Sequence, residues 1–385
     1  MLLVFCTADH GGLADYAHAQ AEALAARGHN VLLLAPSGFP FQSASYQRRT
    51  LPSVPCRVRR LRWLLRLATA ATILSQQAAL NRTIAATGAR RVLFTTYSEY
   101  LALLWAWRLR RWARRGVRFA AVVHDPVRDF VVGPRWWHRL SIAQGYSFLA
   151  VALVHAPIQL DTASRRPAPR TVLIPHGPYR YPSPQASAQH VRQGLAVPSD
   201  ASLLLSFGHI RDSKNLDLVL CAMAGVPPIW LLVAGPEATA GQQPSDHYRQ
   251  LAQRLGVAGR CRWQIGYQTP EQVAELFTAA DGVVLSYSER FRSASGVMHL
   301  ASHYRKPVLA SAGASALVDD AVRFRLGVVV PPDDPVALEG GLRRFLSDPL
   351  QPDWQAYERA NSWDRNAKIV AQVLGLEPEP EPISP

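Results

Sequence analysis

A chain of 385 residues, 48% apolar and 18% charged, is long enough for two cored domains and is neither disordered nor fibrous in composition. The formal net charge of +14 is unevenly placed: residues 1–175 hold 23 Arg, no Lys and 7 acids, whereas residues 176–385 hold 19 basic and 21 acidic residues. Such asymmetry points to an anionic partner for the first half, whether a membrane surface, a nucleic acid or an acidic substrate.

The four cysteines (Cys6, Cys56, Cys221, Cys261) show no metal-ligand or CxxC spacing and read as free thiols in a reducing compartment. The start MLLVFCTADHGG is interrupted at Asp9, too soon for a signal peptide, and no run approaches the ~20 apolar residues of a membrane span. The expectation is a cytoplasmic protein.

Residues 2–8 (LLVFCTA) read as a strand, GG at 11–12 as a tight turn, 13–28 as a helix stopped by Gly28, and 30–36 as the next strand. Further strands are predicted at 91–96, 118–125, 149–156 and 171–175, with helices in the gaps. This alternation implies a parallel sheet covered on both faces. The Pro-, Ser- and Gln-rich stretch 175–189 marks a boundary, after which strands restart at 202–208, 229–235, 260–266, 281–287 and 306–311. A helix over 353–374 and the solvated tail EPEPEPISP follow. The predicted fold class is α/β, two Rossmann-like domains (1–178 and 200–352) facing a central cleft. A C-terminal helix over 353–375 returns to the first domain, and 376–385 form a flexible tail.

Candidate site residues sit where these strands end. Gly11 and Gly12 separate the first strand from the first helix, so backbone N–H groups can approach an anion at the helix start. In LSFGHIRDSKNLDLVL, Gly208, Arg211 and Lys214 follow the second domain's first strand; Arg offers a fork for phosphate oxygens and Lys a mobile point charge. His124 and Asp125 lie just past a strand in VVHDPVRDF and suit a hydroxyl-orienting or proton-accepting role. SASG (293–296) opens another helix, so Ser295 and the amides of Gly296 and Val297 can meet a diphosphate, with Glu289 and Arg292 just upstream. Each has a plain structural counterpart: a turn glycine, a solvated cation, a core histidine, a Ser/Gly turn.

Two Arg-rich segments bear on the charge. RVRRLRWLLRLA (57–68) places Val58, Leu61, Leu64, Leu65 and Ala68 on one helical face and Arg59, Arg60, Arg62 and Arg66 on the other. LALLWAWRLRRWARR (101–115) mixes Trp105, Trp107 and Trp112 with five Arg, and PRWWHRL (134–140) adds two more Trp. A helix lying on an anionic membrane and a packed helix with a solvated basic face fit each of the first two segments equally, and PRWWHRL tips the sum toward an anionic membrane surface as partner; nucleic acid is disfavoured, because no basic-aromatic recognition module is present.

In that order, GGLADYAHAQAEALAARGHNVLLLAP, VVHDP, LIPHG, FGHIRDSKNLDLVL, LLVAGPE and SASGVMHLASHYRKPVLAS resemble the retaining, family 4-like glycosyltransferases of the GT-B type (glycosyl transferases group 1), over roughly residues 1–375. The resemblance implies metal-independent transfer, with retention, from a nucleotide-diphosphate sugar of unknown base to a glycan or lipid-linked acceptor, as in cell-surface polysaccharide or glycolipid assembly. No cofactor is implied, since the nucleotide sugar is a co-substrate. Gly11, Gly12, Gly208, Arg211, Lys214, Ser295, Gly296 and Val297 would bind the donor, His124 would orient its sugar, and Asp125 would assist the acceptor hydroxyl. The chain departs from the family at two glutamates: the sugar-facing one maps to Arg292 and the ribose-holding one to Leu300, which leaves Glu289 as the substitute. A catalytically degenerate, membrane-associated binding module is the alternative that this departure raises.

Overall fold

A computed structural model describes residues 1–53, 62–124, 133–157, 160–163, 169–178, 182–238, 241–292 and 295–378. Asp125, Cys56, residues 57–61 of the first Arg-rich segment, Ser293 and Ala294 of SASG, and the tail from 379 lie outside the described residues. The chain divides into two compact units: Met1–His176 with Ser362–Pro385, and Gly177–Asn361.

The first unit begins β1 (Leu2–Phe5), α1 (Gly12–Ala26), β2 (Val31–Pro36), β3 (Gln47–Leu51), α2 (Arg62–Thr87), β4 (Arg91–Phe94) and α3 (Ala102–Arg114). It continues β5 (Arg118–Val122), α4 (Arg135–Tyr146), β6 (Val151–Val154) and β7 (Arg170–Leu173). Its strands form one parallel sheet in the order β3-β2-β1-β4-β5-β6-β7. The central strands are continuous apolar runs, as a sheet buried on both faces requires, and β1, β2 and β6 are buried at every residue. The edge strands β3 and β7 are largely exposed.

The second unit runs α5 (Ala188–Gly194), β8 (Ser202–Phe207), α6 (Leu216–Ala224), β9 (Ile229–Gly235), α7 (Ser245–Arg254), β10 (Cys261–Ile265) and α8 (Pro270–Ala279). It ends β11 (Gly282–Ser286), α9 (Gly296–His303), β12 (Val308–Ser311), α10 (Ala316–Arg323), β13 (Gly327–Val329), α11 (Pro335–Ser347) and α12 (Trp354–Ala360). These strands are also parallel, in the order β10-β9-β8-β11-β12-β13. Read by sequence this is third-second-first-fourth-fifth-sixth, the doubly wound order that reverses between its first and fourth strands.

The chain then returns to the first unit as α13 (Trp363–Val373), which packs against α1. Val370, Val373 and Leu374 are buried there, each worth about 1.5–3 kcal/mol. The fully buried Asn366 fixes the register: it accepts from Gln20 Nε2 (2.9 Å) and donates to the Tyr16 hydroxyl (3.0 Å) and the Pro175 carbonyl (2.7 Å). One face of the sheet, with Leu3, Phe5, Phe94 and Phe119, carries α2, α3 and α4; the other, with Leu2, Val4, Leu33 and Val122, carries α1 and α13.

The single helix expected over 353–374 is two helices belonging to different units. It breaks at Asn361–Ser362, where the Ser362 hydroxyl accepts from the Arg365 N–H (3.2 Å) and starts α13 afresh. α12 stays with the second unit because Tyr357, 1% exposed, donates to or accepts from Nδ1 of the buried His299 on α9 (2.7 Å). Residues 182–199, left between the predicted domains, belong to the second unit through α5, which packs on α8.

Candidate functional site

In the second unit the chain reverses at the carboxyl ends of β8 and β11, the topological switch point at which open parallel sheets bind ligands. After β8, Gly208 adopts φ +92°, a Cβ on it would lie 3.1 Å from Lys214 Nζ, and β9 ends against it at Gly235. Gly235 has φ +138°, and any Cβ there would collide with the Gly208 carbonyl, so two glycines are needed for this approach. A 3-10 turn over Asp212–Lys214 then folds back on the strand end. The left-handed Asn215 (φ +48°) closes it and is pinned by its side-chain donation to Asp333 (2.7 Å).

That turn returns the Lys214 ammonium to the Phe207 carbonyl, to which it donates. The Ser286 hydroxyl at the end of β11 donates to the Lys214 carbonyl (2.7 Å), and the Ser288 N–H donates to the Ser213 carbonyl (3.0 Å), so the two switch-point loops are tied together. Burial, and secondarily the nearby Arg211 charge, lower the Lys214 pKa from 10.5 to about 7. His209 is pushed down by burial and by the same two cations. The corner therefore holds cations that disfavour one another, and an anion would relieve them. Asp212 does not do so, since its carboxylate accepts from the Gln243 N–H (3.0 Å) and the Tyr248 hydroxyl (3.1 Å).

The second wall is the start of α9. A γ-methyl of Val297 lies 3.9 Å from the Cβ position of Gly208, which places this helix start beside the glycine. Ser295 occupies the N-cap, but its hydroxyl is hydrogen-bonded to the buried Tyr287 (3.0 Å) rather than capping the helix, so no side chain caps the Gly296–Val297 turn. An uncapped helix start is a ready anion site. Phe291 stacks on Tyr287 at 4.1 Å and steadies that arrangement. The second unit thus brings together Gly208, Arg211, Lys214, Ser295, Gly296 and Val297.

Glu289 has a different setting. Its N–H donates to Asp333 (2.9 Å) and its carboxylate pairs with Arg292 (3.0 Å), whose guanidinium packs against Gly313. Leu300, at the position the resemblance gives to a ribose-binding glutamate, is 4% exposed within the apolar core.

In the first unit, Gly11 is the N-cap of α1 with φ +72°, and no side chain caps that helix either. His124 follows β5, and its Nε2–H donates to the Thr95 carbonyl (3.1 Å), so the ring is the Nε2 tautomer. Burial lowers its pKa to about 4, which keeps it neutral at pH 7 and fits an orienting or accepting role rather than that of an acid. Asp125 lies outside the described residues.

Sequence reasoning missed the company His124 keeps. Tyr16 packs edge-on against His124 (4.7 Å), His155 (5.4 Å), His176 (5.1 Å) and Trp363 (4.9 Å). His155 donates through Nδ1 to the Ile174 carbonyl (3.1 Å), and burial, with the neighbouring His124, pushes its pKa down to about 3. The available signal was that these histidines end successive strands, in VVHD, LVHA and LIPHG. Asp15, in the first turn of α1, was also passed over; burial raises its pKa to about 6. Among the described residues no group of His, Cys, Asp and Glu is arranged to hold a metal ion.

Residues 188–370 match the family of glycosyl transferases group 1. A 101-residue stretch is 36% identical to D-inositol 3-phosphate glycosyltransferases of Mycobacterium bovis (strain BCG / Pasteur 1173P2) and Mycobacterium tuberculosis (strain ATCC 25177 / H37Ra). The match covers 26% of this chain and 21% of each relative, so the chain spans about a fifth of the length of the curated relatives it matches. Among solved structures, sucrose-phosphate synthase from Thermosynechococcus elongatus superposes with a TM-score of 0.70 at 20% identity over 98% of both chains. WaaG, a glycosyltransferase involved in lipopolysaccharide biosynthesis, gives 0.64 at 17% over 97% of this chain and 99% of its own. Anabaena HepE in complex with UDP-glucose gives 0.67 at 16% over 98% and 100%. The two parallel α/β units are thus the two Rossmann-like domains of the GT-B fold, and residues 188–370, nearly all within the second of them, are the stretch that matches the glycosyl transferases group 1 family.

Proposed function

We propose that the protein transfers a sugar, with retention and without a metal, from a nucleotide-diphosphate donor to a glycan or lipid-linked acceptor in cell-surface polysaccharide or glycolipid assembly. One observation carries this reading: Lys214, titrating near neutrality, stands with Arg211 beside an uncapped helix start at a topological switch point. In the reaction the bond from the anomeric carbon to the diphosphate oxygen breaks, a bond from that carbon to the acceptor oxygen forms, and the acceptor's hydroxyl proton passes to the departing diphosphate. Negative charge grows on the leaving diphosphate, where Arg211, protonated Lys214 and the Gly296 and Val297 amides stabilise it more than in the ground state. Gly11 and Gly12 at the start of α1 add backbone donors. His124 orients the sugar and Asp125 assists the acceptor hydroxyl. Glu289 is a weaker donor ligand in this reading, being paired with Arg292. The Arg-rich first unit takes an anionic membrane as partner and places the enzyme on the inner face of the plasma membrane. A similar fold has been solved with UDP-glucose bound, in HepE, which supports a nucleotide sugar as donor.

A second reading, a degenerate binding module, draws on Leu300, which fills the core where a ribose ligand is expected. Thermal stability with UDP, GDP, ADP and CDP and their common sugar conjugates tests the proposal. A ligand at ~100 times its dissociation constant stabilises the fold by about 2.7 kcal/mol. A shift with one base, absent in Lys214→Ala, is expected; no shift with any nucleotide would refute donor binding.

A further inference from the structure

We infer that the outer face of the α2–α3–α4 layer is a membrane-docking surface, with α3 and α4 as its contact helices and an anionic lipid bilayer as its partner. The inference gives a place on the fold to the membrane contact proposed above, and it holds independently of which sugar is moved. The three helices pack side by side on one face of the first unit's sheet and together contain nine arginines, three, four and two in turn, and no Asp or Glu. The opposite face is of mixed charge: α1 carries Asp15 and Glu22, and α13 carries Asp364, Arg365 and Lys368. The first unit is therefore electrically one-sided.

The arginine layer is also apolar at its tips. Leu104 and Trp107 on α3 are 52% and 45% exposed, and Trp136 and Leu140 on α4 are 60% and 45% exposed. At 100° per residue, Leu104, Trp107, Arg108, Arg111 and Arg115 share the side of α3 opposite its buried Trp105, Ala106 and Leu109. On α4, Trp136 and Leu140 lie opposite the buried Gly145 in the same way, with the exposed Arg139 flanking them. The Arg108 guanidinium lies 5.0 Å from the centre of the Trp107 ring, which holds the indole outward between charges.

A solvated basic face has no use for four exposed Leu and Trp side chains. Nucleic acid uses arginines but gains little from leucines. A bilayer surface accepts both: phosphate headgroups take the guanidinium groups, and indoles and leucines enter the headgroup–acyl boundary. Among the described residues no helix is long and apolar enough to cross a membrane, so this contact is interfacial.

The test is sedimentation of the full-length protein with vesicles of phosphatidylcholine alone or with about 30% phosphatidylglycerol. Wild type is expected to sediment with the anionic vesicles only. Trp107→Ser with Trp136→Ser, and separately Arg108→Glu with Arg111→Glu, should each weaken binding roughly tenfold or more while keeping the wild-type melting midpoint. All four side chains are exposed, so folding is not at stake. Lys214→Ala separates the two readings: it should bind vesicles as wild type does, whatever its response to nucleotide. Absence of sedimentation, tryptophan variants that bind as wild type, or displacement of the protein from vesicles by an equal concentration of duplex DNA phosphate would each overturn the inference.

Discussion

Lys214 titrates in the range where nucleotide binding is measured. Burial, aided by the Arg211 charge, lowers its pKa from 10.5 to about 7. At 1.36 kcal/mol per pH unit the difference amounts to roughly 5 kcal/mol against the ammonium. A bound diphosphate supplies the missing counter-charge, so binding must draw a proton onto Lys214. Above about pH 7.5 a nucleoside diphosphate is fully ionised, and the proton on Lys214 becomes the limiting quantity. The affinity of UDP, or of the nucleotide found by thermal shift, should then fall about tenfold per unit between roughly pH 7.5 and 9.5. Calorimetry in two buffers of different ionisation enthalpy should show uptake of about half a proton at pH 7, rising toward one at about pH 9. Lys214→Ala should bind more weakly, with a flat profile. For folding, the sign follows from the depressed value: the unfolded chain keeps its proton up to 10.5, so this residue's contribution to stability rises with pH from about 7 to 10.5. An affinity independent of pH, with no proton uptake in wild type, would refute the placement of the diphosphate on Lys214.

Other substitutions test the supports of the site. Gly235→Ala puts a Cβ into the Gly208 carbonyl at φ +138°, so a loss of about 2 kcal/mol or more in urea unfolding and weaker nucleotide binding are expected together. Tyr357→Phe removes the 2.7 Å hydrogen bond between the buried Tyr357 and His299 and should cost about 1–3 kcal/mol in urea unfolding without changing nucleotide affinity. Burial raises the Asp15 carboxyl from 3.8 to about 6, so its contribution to stability is greatest below about pH 4 and is lost as pH rises through 6. Asp15→Asn should therefore raise the melting midpoint at about pH 7.5, by up to about 2 kcal/mol of stability, and leave it unchanged at about pH 4.

The fold was legible where one physical rule dominates. Strands buried on both faces, such as VLLLAP and IWLLVAG, can only be continuous apolar runs, and the glycines and polar residues that follow them announce the ligand end of the sheet. Two edge strands carried no such signal: QRRTL is β3 with one buried residue, and the three-residue β13 was too short to read, whereas the edge strands β7 and β10 kept enough apolar residues to show. The helix break at Asn361–Ser362 is hidden because the pattern on either side is amphipathic, and α12 is assigned to the second unit by tertiary contacts such as Tyr357 with His299 and Glu358 with Arg305. At the site, Arg211 and Lys214 were visible as cations at a helix start, where they oppose the dipole and need a counter-ion. Tyr16 and the histidines around it were not, since residues 16, 124, 155 and 176 meet only once the parallel strands are in register. Glu289 looked available in sequence because its ion pair with Arg292 depends on how the loop after β11 folds.

The most direct test of sugar transfer is release of nucleoside diphosphate from a panel of nucleotide sugars, with water or a lipid extract as acceptor, for wild type and Lys214→Ala. Removing a charge that stabilises the leaving group should lower the rate by about 100-fold or more. The account predicts release from donors of one base, faster with the extract, and largely lost in the variant. Nucleotide binding with no release from any sugar donor would contradict it and leave a binding module in its place.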